Sequence, residues 1–275
     1  MNNDMIIKSW MAGIKSEHSR RAYTRIVNNF LESLGNPALD SVSKIEILNW
    51  KQNLTGSSAT RQQAVMCIKS LYKFMYDNDI TETNLTEKIH ADKVRNKEKD
   101  ALSMDEVKQM MQFANSREKA ILVLTTQTGL RASEVASITL DDFLNYNPES
   151  GIEITTKGDK PRVVYLTEST INYINNYLPE RKSGCDKLFV SNHGTPMVEK
   201  NLNTMVQKLA RKTGTEKHWT FHSLRSLAVV TVYESTNDIV ATQRWIGHSS
   251  LSCTLRYVRR DDKFKDITEN AFALL

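Results

Sequence analysis

Between His90 and Asp100 the sequence reads HADKVRNKEKD, eleven residues with one large apolar side chain and charges of alternating sign. A stretch like this cannot enter a packed core, because burying its ions costs more than the packing returns. It therefore divides a chain of 275 residues, which is itself long for one core given that domains usually run to roughly 100–150 residues. The sequence predicts two domains, 1–90 and 101–275, joined by a linker over 91–100.

Before that stretch the apolar positions follow helical spacing. Ala22, Tyr23, Ile26, Val27, Phe30, Leu31 and Leu34 make one stripe between Ser16 and Gly35, with the glycine as C-cap. Ser43 and Glu46 form a capping box ahead of Ile47, Leu48, Trp50 and Leu54. Ala64, Val65, Ile68, Leu71, Tyr72 and Met75 mark a third helix, opened by Ser57 or Ser58. The first domain reads as a helical bundle.

The second domain opens on another capping box, Ser103 with Glu106, and runs through two helices to a turn at Thr128-Gly129-Leu130. The pattern then changes. Residues from Gly151 to Thr156 and from Arg162 to Leu166 are rich in β-formers, and Lys157-Gly158-Asp159-Lys160 between them reads as a hairpin turn. Leu188-Phe189-Val190 offers a third short strand. From about Glu199 onward the chain is helical again, in pieces broken at Gly214, Asn237, Gly247 and Ser249-Ser250. With 10 Gly and 5 Pro there is too little punctuation for a many-stranded all-β protein. The expected class is mainly α with a small antiparallel β-sheet, α+β.

Composition excludes several classes of function. Apolar residues at 40 % and charged residues at 25 % suit a folded chain rather than a disordered one. Cys67, Cys185 and Cys253 are odd in number and far apart, which fits neither a disulfide framework nor a paired metal site and suggests a reducing cytoplasm. The opening MNNDMIIKSWMAGIK lacks the apolar core of a signal peptide, and the longest apolar run is Ala120 to Leu124, so no membrane segment is expected. A net charge of +5 permits a polyanionic partner without requiring one.

Candidate chemistry lies in the second domain. His222 and Arg225 are three residues apart, so on a helix they share a face and can present an imidazole and a guanidinium to one phosphate. Alone such a pair is commonplace. Arg131 follows Gly129 at a helix start, where backbone N–H groups also favour anions. Lys157 sits in the hairpin turn and His248 follows Gly247; singly, both are ordinary surface residues. Asp141-Asp142 is a tempting acidic pair, but neighbours on a helix point about 100° apart, and nothing near them has metal-like spacing. No metal and no cofactor are expected, and there is no GxxxxGK[ST] loop for ATP.

Taken together, Arg131, Lys157, His222, Arg225, His248 and Tyr257, in this order and embedded in TGLRASEV, KGDKPR, HSLR and GHSSLSCTLRY, resemble the active-site signature of the tyrosine recombinases, the λ-integrase family. The resemblance runs from about Leu102 to Arg260. It extends more loosely to the first domain, where SSATRQQAVMCIKSLYKFMYDNDIT is similar to the last long helix of the family's core-binding domain. Departures are Ser226 after the second arginine, Asn84-Leu85 for the usual Asn-Pro, Cys253 for threonine and Trp245-Ile246 before Gly247. The first two leave the six residues untouched; the last two bear on packing and leave the chemistry intact.

The resemblance implies a site-specific DNA recombinase, with an N-terminal helical core-binding domain and a C-terminal catalytic domain. Tyr257 would be the nucleophile, forming a covalent 3′-phosphotyrosine; Arg131 and Arg225 would clamp the phosphate; His222 and His248 would donate hydrogen bonds or shuttle a proton; Lys157 would protonate the leaving oxygen. Glu134 is placed to buttress Arg131. Tyr257 lies nine positions after His248, and one continuous helix would turn through about 900° between them. A break at Gly247, with Ser249 or Ser250 as a new N-cap, removes that conflict. Arg20, Arg21, Arg25, Arg61, Lys69 and Lys73 lie off the apolar stripes and are candidate phosphate contacts.

The implied partners are double-stranded DNA carrying short inverted repeats and further copies of the chain, two on a site and four in a synapse. Little chain precedes Ser16, so no arm-binding domain is expected there. The apolar side of residues 266–275 is expected to pack on a neighbouring protomer. Two other readings use the same groups: a type IB topoisomerase-like activity, and a DNA-binding accessory protein that does not cleave.

Overall fold

Side-chain caps fix where the helices begin. In the computed structural model, which describes residues 2–92, 101–156, 160–182, 184–255 and 257, Asn2 caps α1 (Asn3–Ala12) and Ser16 caps α2 (Glu17–Ser33). Ser43 and Glu46 close both bonds of the capping box on α3 (Lys44–Gln52). Ser57, rather than Ser58, caps α4 (Ser58–Asp77). Leu34 ends α2, and Gly35 follows it in the left-handed region at φ +79°. The Asn36 amide then donates to the Leu31 carbonyl at 2.8 Å, satisfying one of the carbonyls a helix end leaves bare.

These four helices enclose a core of their own, in which Phe30 meets the edge of Trp50 at 5.0 Å and lies 6.3 Å from Tyr72. The chain forms two compact units, Met1–Glu98 and Lys99–Leu275. Of the expected linker, Ala91 and Asp92 are described and residues 93–100 lie outside the described residues.

The second unit is built around α6 (Ser116–Thr128), which follows α5 (Met104–Gln112) and its Ser103–Glu106 capping box. Ala120 to Leu124 are buried all round the α6 axis, the pattern of a helix at the centre of a core. Thr125, Thr126 and Thr128 donate their hydroxyls to the carbonyls four residues back, so polar side chains are tolerated there. Gly129 ends α6 at φ +62°. Short helices α7 (Ala132–Ser137) and α8 (Leu140–Leu144) follow, and Asp142 closes the capping box of α8 with Thr139.

The strands β1 (Ile152–Thr156) and β2 (Lys160–Val164) pair antiparallel, with Ile152 opposite Val164 and Ile154 opposite Arg162. Then come α9 (Glu168–Tyr177), α10 (Glu199–Lys212), α11 (Phe221–Thr236), α12 (Ile239–Ile246) and α13 (Leu251–Leu255). The fold is therefore mainly α with one small antiparallel sheet, and Asn237 and Gly247 break the last helices in the left-handed conformation.

One expectation fails: Leu188-Phe189-Val190 is buried but is not a strand. Val190 makes an isolated bridge to Pro196, which has no N–H to extend a ladder, and Phe189 stacks on Tyr177 instead. The three cysteines are free. Among the described residues no helix is long and apolar enough to cross a membrane.

Candidate active site

Three segments of the second unit converge: the α6–α7 turn, α11, and the α12–α13 turn. Because Gly129 reverses the chain in the left-handed conformation, Leu130 is buried and Arg131 lands at the N-cap of α7. There the Arg131 amide donates to Glu134 Oε2 at 2.8 Å and its Nη1 donates to Oε1 at 2.6 Å. Glu134, 3 % exposed, thus holds both ends of Arg131, whose own side chain stays 34 % exposed.

Arg225 projects from α11 with its side chain 2 % exposed. Its Nη1 donates to the Gly129 carbonyl and its Nη2 to the Ile246 carbonyl at 3.0 Å. One guanidinium therefore ties together the ends of α6 and α12, the two turns that carry Arg131 and His248. Burial, and after it the repulsion of Arg131, lowers its pKa to about 10, with Glu134 opposing. It remains a cation at neutral pH.

His222 lies one turn before Arg225 on the same helix, and its Nε2 is 3.0 Å from the Tyr257 hydroxyl. Gly247 at φ +68° stops α12, and α13 starts again at Leu251, directly after Ser249-Ser250. This break lets the Tyr257 ring stack on His248 with centroids 5.8 Å apart and planes 15° apart. His248 Nδ1 lies 2.9 Å from the Thr254 hydroxyl. Burial first, then the fields of Arg225 and Arg131, push the His248 pKa down to about 4, so its imidazole is neutral at pH 7.

A cleft of about 440 Å³ is lined by Arg131, Ser133, Lys200, Asn203, His222 and Arg225. Lys157 lies outside the described residues; β1 and β2 flank it. Among the described residues no group of three His, Cys, Asp or Glu could hold a metal ion.

Sequence reasoning missed Arg162. Its Nη1 donates to the Trp245 carbonyl at 2.8 Å, its Nη2 reaches the Thr128 carbonyl at 3.4 Å, and Nη2 lies 3.7 Å from Glu134 Oε2. A signal was present: strand alternation puts Arg162 on the same face as Val164 and Leu166, which are buried, while Val163 and Tyr165 are exposed. An arginine on the inward face of a strand must find an acceptor. Burial lowers its pKa as well. Glu134 Oε2 also lies 3.9 Å from Arg225, so one buried carboxylate faces three guanidinium groups and the cluster is strongly cationic.

The basic residues of the first unit divide into two kinds. Arg20 and Arg25 are exposed on α2, while Arg21 pairs with Glu17 and Lys73 with Asp77 along exposed helix faces. Arg61 donates to the Gly56 carbonyl and lies 3.5 Å from Asp92. Lys69 differs: its ammonium reaches the carbonyls of Thr86, Glu87 and Ile89 at 2.6, 3.2 and 2.6 Å, closing the 84–89 turn rather than facing solvent.

Residues 100–263 match the model of the phage integrase family. This chain belongs to that family. Among its relatives, tyrosine recombinase XerD of Oceanobacillus iheyensis is 26 % identical over 261 residues, covering 88 % of this chain and 87 % of that protein. Tyrosine recombinase XerC of Caldanaerobacter subterraneus is 31 % identical over 213 residues, covering 74 % of this chain and 59 % of that protein. In fold the chain resembles a λ integrase dimer bound to a core DNA site, with TM-score 0.77, 17 % identity and coverage of 95 % and 94 %. It also resembles XerA recombinase, with TM-score 0.55, 26 % identity and coverage of 98 % and 96 %. In this phage integrase family member, Arg131, His222, Arg225, His248 and Tyr257 come together within one unit.

Proposed function

We propose that this chain is a site-specific DNA recombinase that cuts and rejoins strands through Tyr257. The observation that carries the reading is the 3.0 Å pairing of the Tyr257 hydroxyl with His222 Nε2, beside a cleft lined by Arg131 and Arg225.

A phenol with a pKa near 10 is only about a thousandth ionised at neutral pH. Passing its proton to His222 as the attack proceeds removes that obstacle. The Tyr257 oxygen bonds to phosphorus, the bond from phosphorus to the 5′-oxygen breaks, and a 3′-phosphotyrosine results. The leaving oxygen takes a proton, which we assign to Lys157. Charge gathers on the non-bridging oxygens during attack, and fixed guanidinium groups stabilise it. Arg225 has five N–H donors, and its two bonds to carbonyls leave the others for phosphate. Because the phosphotyrosine keeps the energy of the broken bond, rejoining needs no ATP, and the arginines take the place of a metal.

In the same reading the first unit clamps duplex DNA, with Arg20, Arg21, Arg25, Arg61 and Lys73 as phosphate contacts. The ion pairs of Arg21 and Lys73 are exposed and weak, so phosphate can displace their partners. Inverted-repeat sites, two protomers per site and four in the synapse complete the proposal; a solved relative, XerH, is bound to a palindromic substrate.

The test is to incubate the chain with a pool of duplexes carrying a nick beside a random segment, then isolate and sequence DNA that stays attached after denaturation. Tyr257→Phe should abolish the attached product while retaining DNA affinity. Binding without any covalent product would mean a non-cleaving accessory protein, and attachment that survives Tyr257→Phe would rule out this nucleophile.

A further inference from the structure

Thr254 is fully buried on α13, and its hydroxyl lies 2.9 Å from His248 Nδ1. The buried threonines of α6 donate to backbone carbonyls four residues back. Thr254 does not follow that habit: among the described residues its hydroxyl has no hydrogen-bond partner besides the imidazole. A hydroxyl has one proton to give and lone pairs to receive. Were Nδ1 to carry a hydrogen, the hydroxyl would be the acceptor, and its own proton would be left in a buried site with no acceptor among the described residues, a state folded chains avoid. The hydroxyl is therefore the donor and Nδ1 is bare. A neutral imidazole with bare Nδ1 carries its hydrogen on Nε2.

The surroundings agree. A second proton would have to go on Nδ1, reversing the bond to Thr254, within the field of Arg225, Arg131 and Arg162 and beside His222. Glu134, the buried carboxylate of the cluster, is already engaged by Arg131. Among the described residues, no carboxylate pairs with His248 to stabilise a second proton.

We propose that Thr254 is a positioning residue that locks His248 as the Nε2–H tautomer, making it a fixed hydrogen-bond donor to the reacting phosphate and leaving proton acceptance from Tyr257 to His222. The inference rests on the reading of the cleft as a strand-cleaving site, but its first test needs no DNA.

Nitrogen NMR of the full chain with labelled histidine reports which ring nitrogen carries hydrogen, and the spectrum of His248→Gln assigns the signal among six histidines. The expected result is a bare Nδ1 and a protonated Nε2 for His248; a protonated Nδ1 overturns the proposal. Two variants then test the consequence on the nicked duplex recovered above. Thr254→Val keeps the shape and removes the hydroxyl, and should slow cleavage by on the order of tenfold to a hundredfold, as loss of a fixed donor does. Thr254→Ser restores the hydroxyl and should cleave within about threefold of the wild type. Valine cleaving at the wild-type rate, or serine as slow as valine while still folded, overturns the proposal. If the valine variant does not fold, the wild-type spectrum and the serine rate decide. Should the wild type cleave no DNA at all, the functional reading falls, and the spectrum alone decides the tautomer.

Discussion

Glu134 faces Arg131, Arg162 and Arg225 from inside the protein, and removing one partner of a buried ion pair costs about 3–5 kcal/mol. Glu134→Ala is expected to destabilise the second unit by about 3 kcal/mol, read as a lower urea midpoint, and a change near zero would show that the arginines do not depend on it. Arg225→Lys keeps the charge but not the fork that spans the Gly129 and Ile246 carbonyls. It should reduce strand cleavage by at least about a hundredfold while DNA affinity holds. His248 gives a pH signature. Its pKa is 6.5 as an unhindered side chain and about 4 in the folded chain, so below 6.5 the unfolded chain binds a proton that the folded chain refuses. The stability this contributes is complete above pH 6.5 and is lost as pH falls toward 4. Comparing unfolding of the wild type and His248→Gln, the wild-type advantage should shrink from about pH 7.5 to about pH 5; a constant difference would contradict the burial of that ring. His222 with Arg225 was legible in the sequence because helix periodicity alone places residues three apart on one face. Arg162 and Lys69 were harder, since their acceptors are carbonyls distant in the chain: Trp245 for the one, the 84–89 turn for the other.

Turns, more than helices, assemble the site. The ends of α6 and α12 both require a left-handed glycine, but their surroundings differ from those of Gly35. A Cβ on Gly129 would fall 2.2 Å from Ile246 Cδ1, whereas one on Gly35 would meet nothing within 4 Å. Gly35→Ala should therefore cost about 1 kcal/mol for the backbone conformation alone. Gly129→Ala should cost about 3 kcal/mol and impair cleavage as well, since it forces apart the two turns that Arg225 joins. Equal effects in thermal unfolding would contradict this account. Capping boxes and helix stripes were readable because they depend on residues three or four apart. The failed strand at Leu188-Phe189-Val190 was not, because a β-rich triplet does not say what it will pair with, and here Pro196 closes the ladder after one bridge.

Each of the two units has a separate apolar core, one gathered around Phe30 and Tyr72, the other around α6. Calorimetry should accordingly resolve two transitions. Phe30→Ala, at about 3–5 kcal/mol for a large buried ring, should lower one of them and leave the other in place; a single shared shift would show that the units melt together. The apolar stripes that build each core were legible because helical spacing gathers them on one face, and the charged stretch from His90 to Asp100 because its composition bars it from a core.

The pairing of Tyr257 with His222 is made within one polypeptide. In the proposed reading, a copy of the chain brings its own attacking oxygen to its own arginines. Mixing Tyr257→Phe protein with Arg225→Lys protein is expected to rescue no strand cleavage, since no member of the mixture carries an intact set, and recovered cleavage would contradict the proposal.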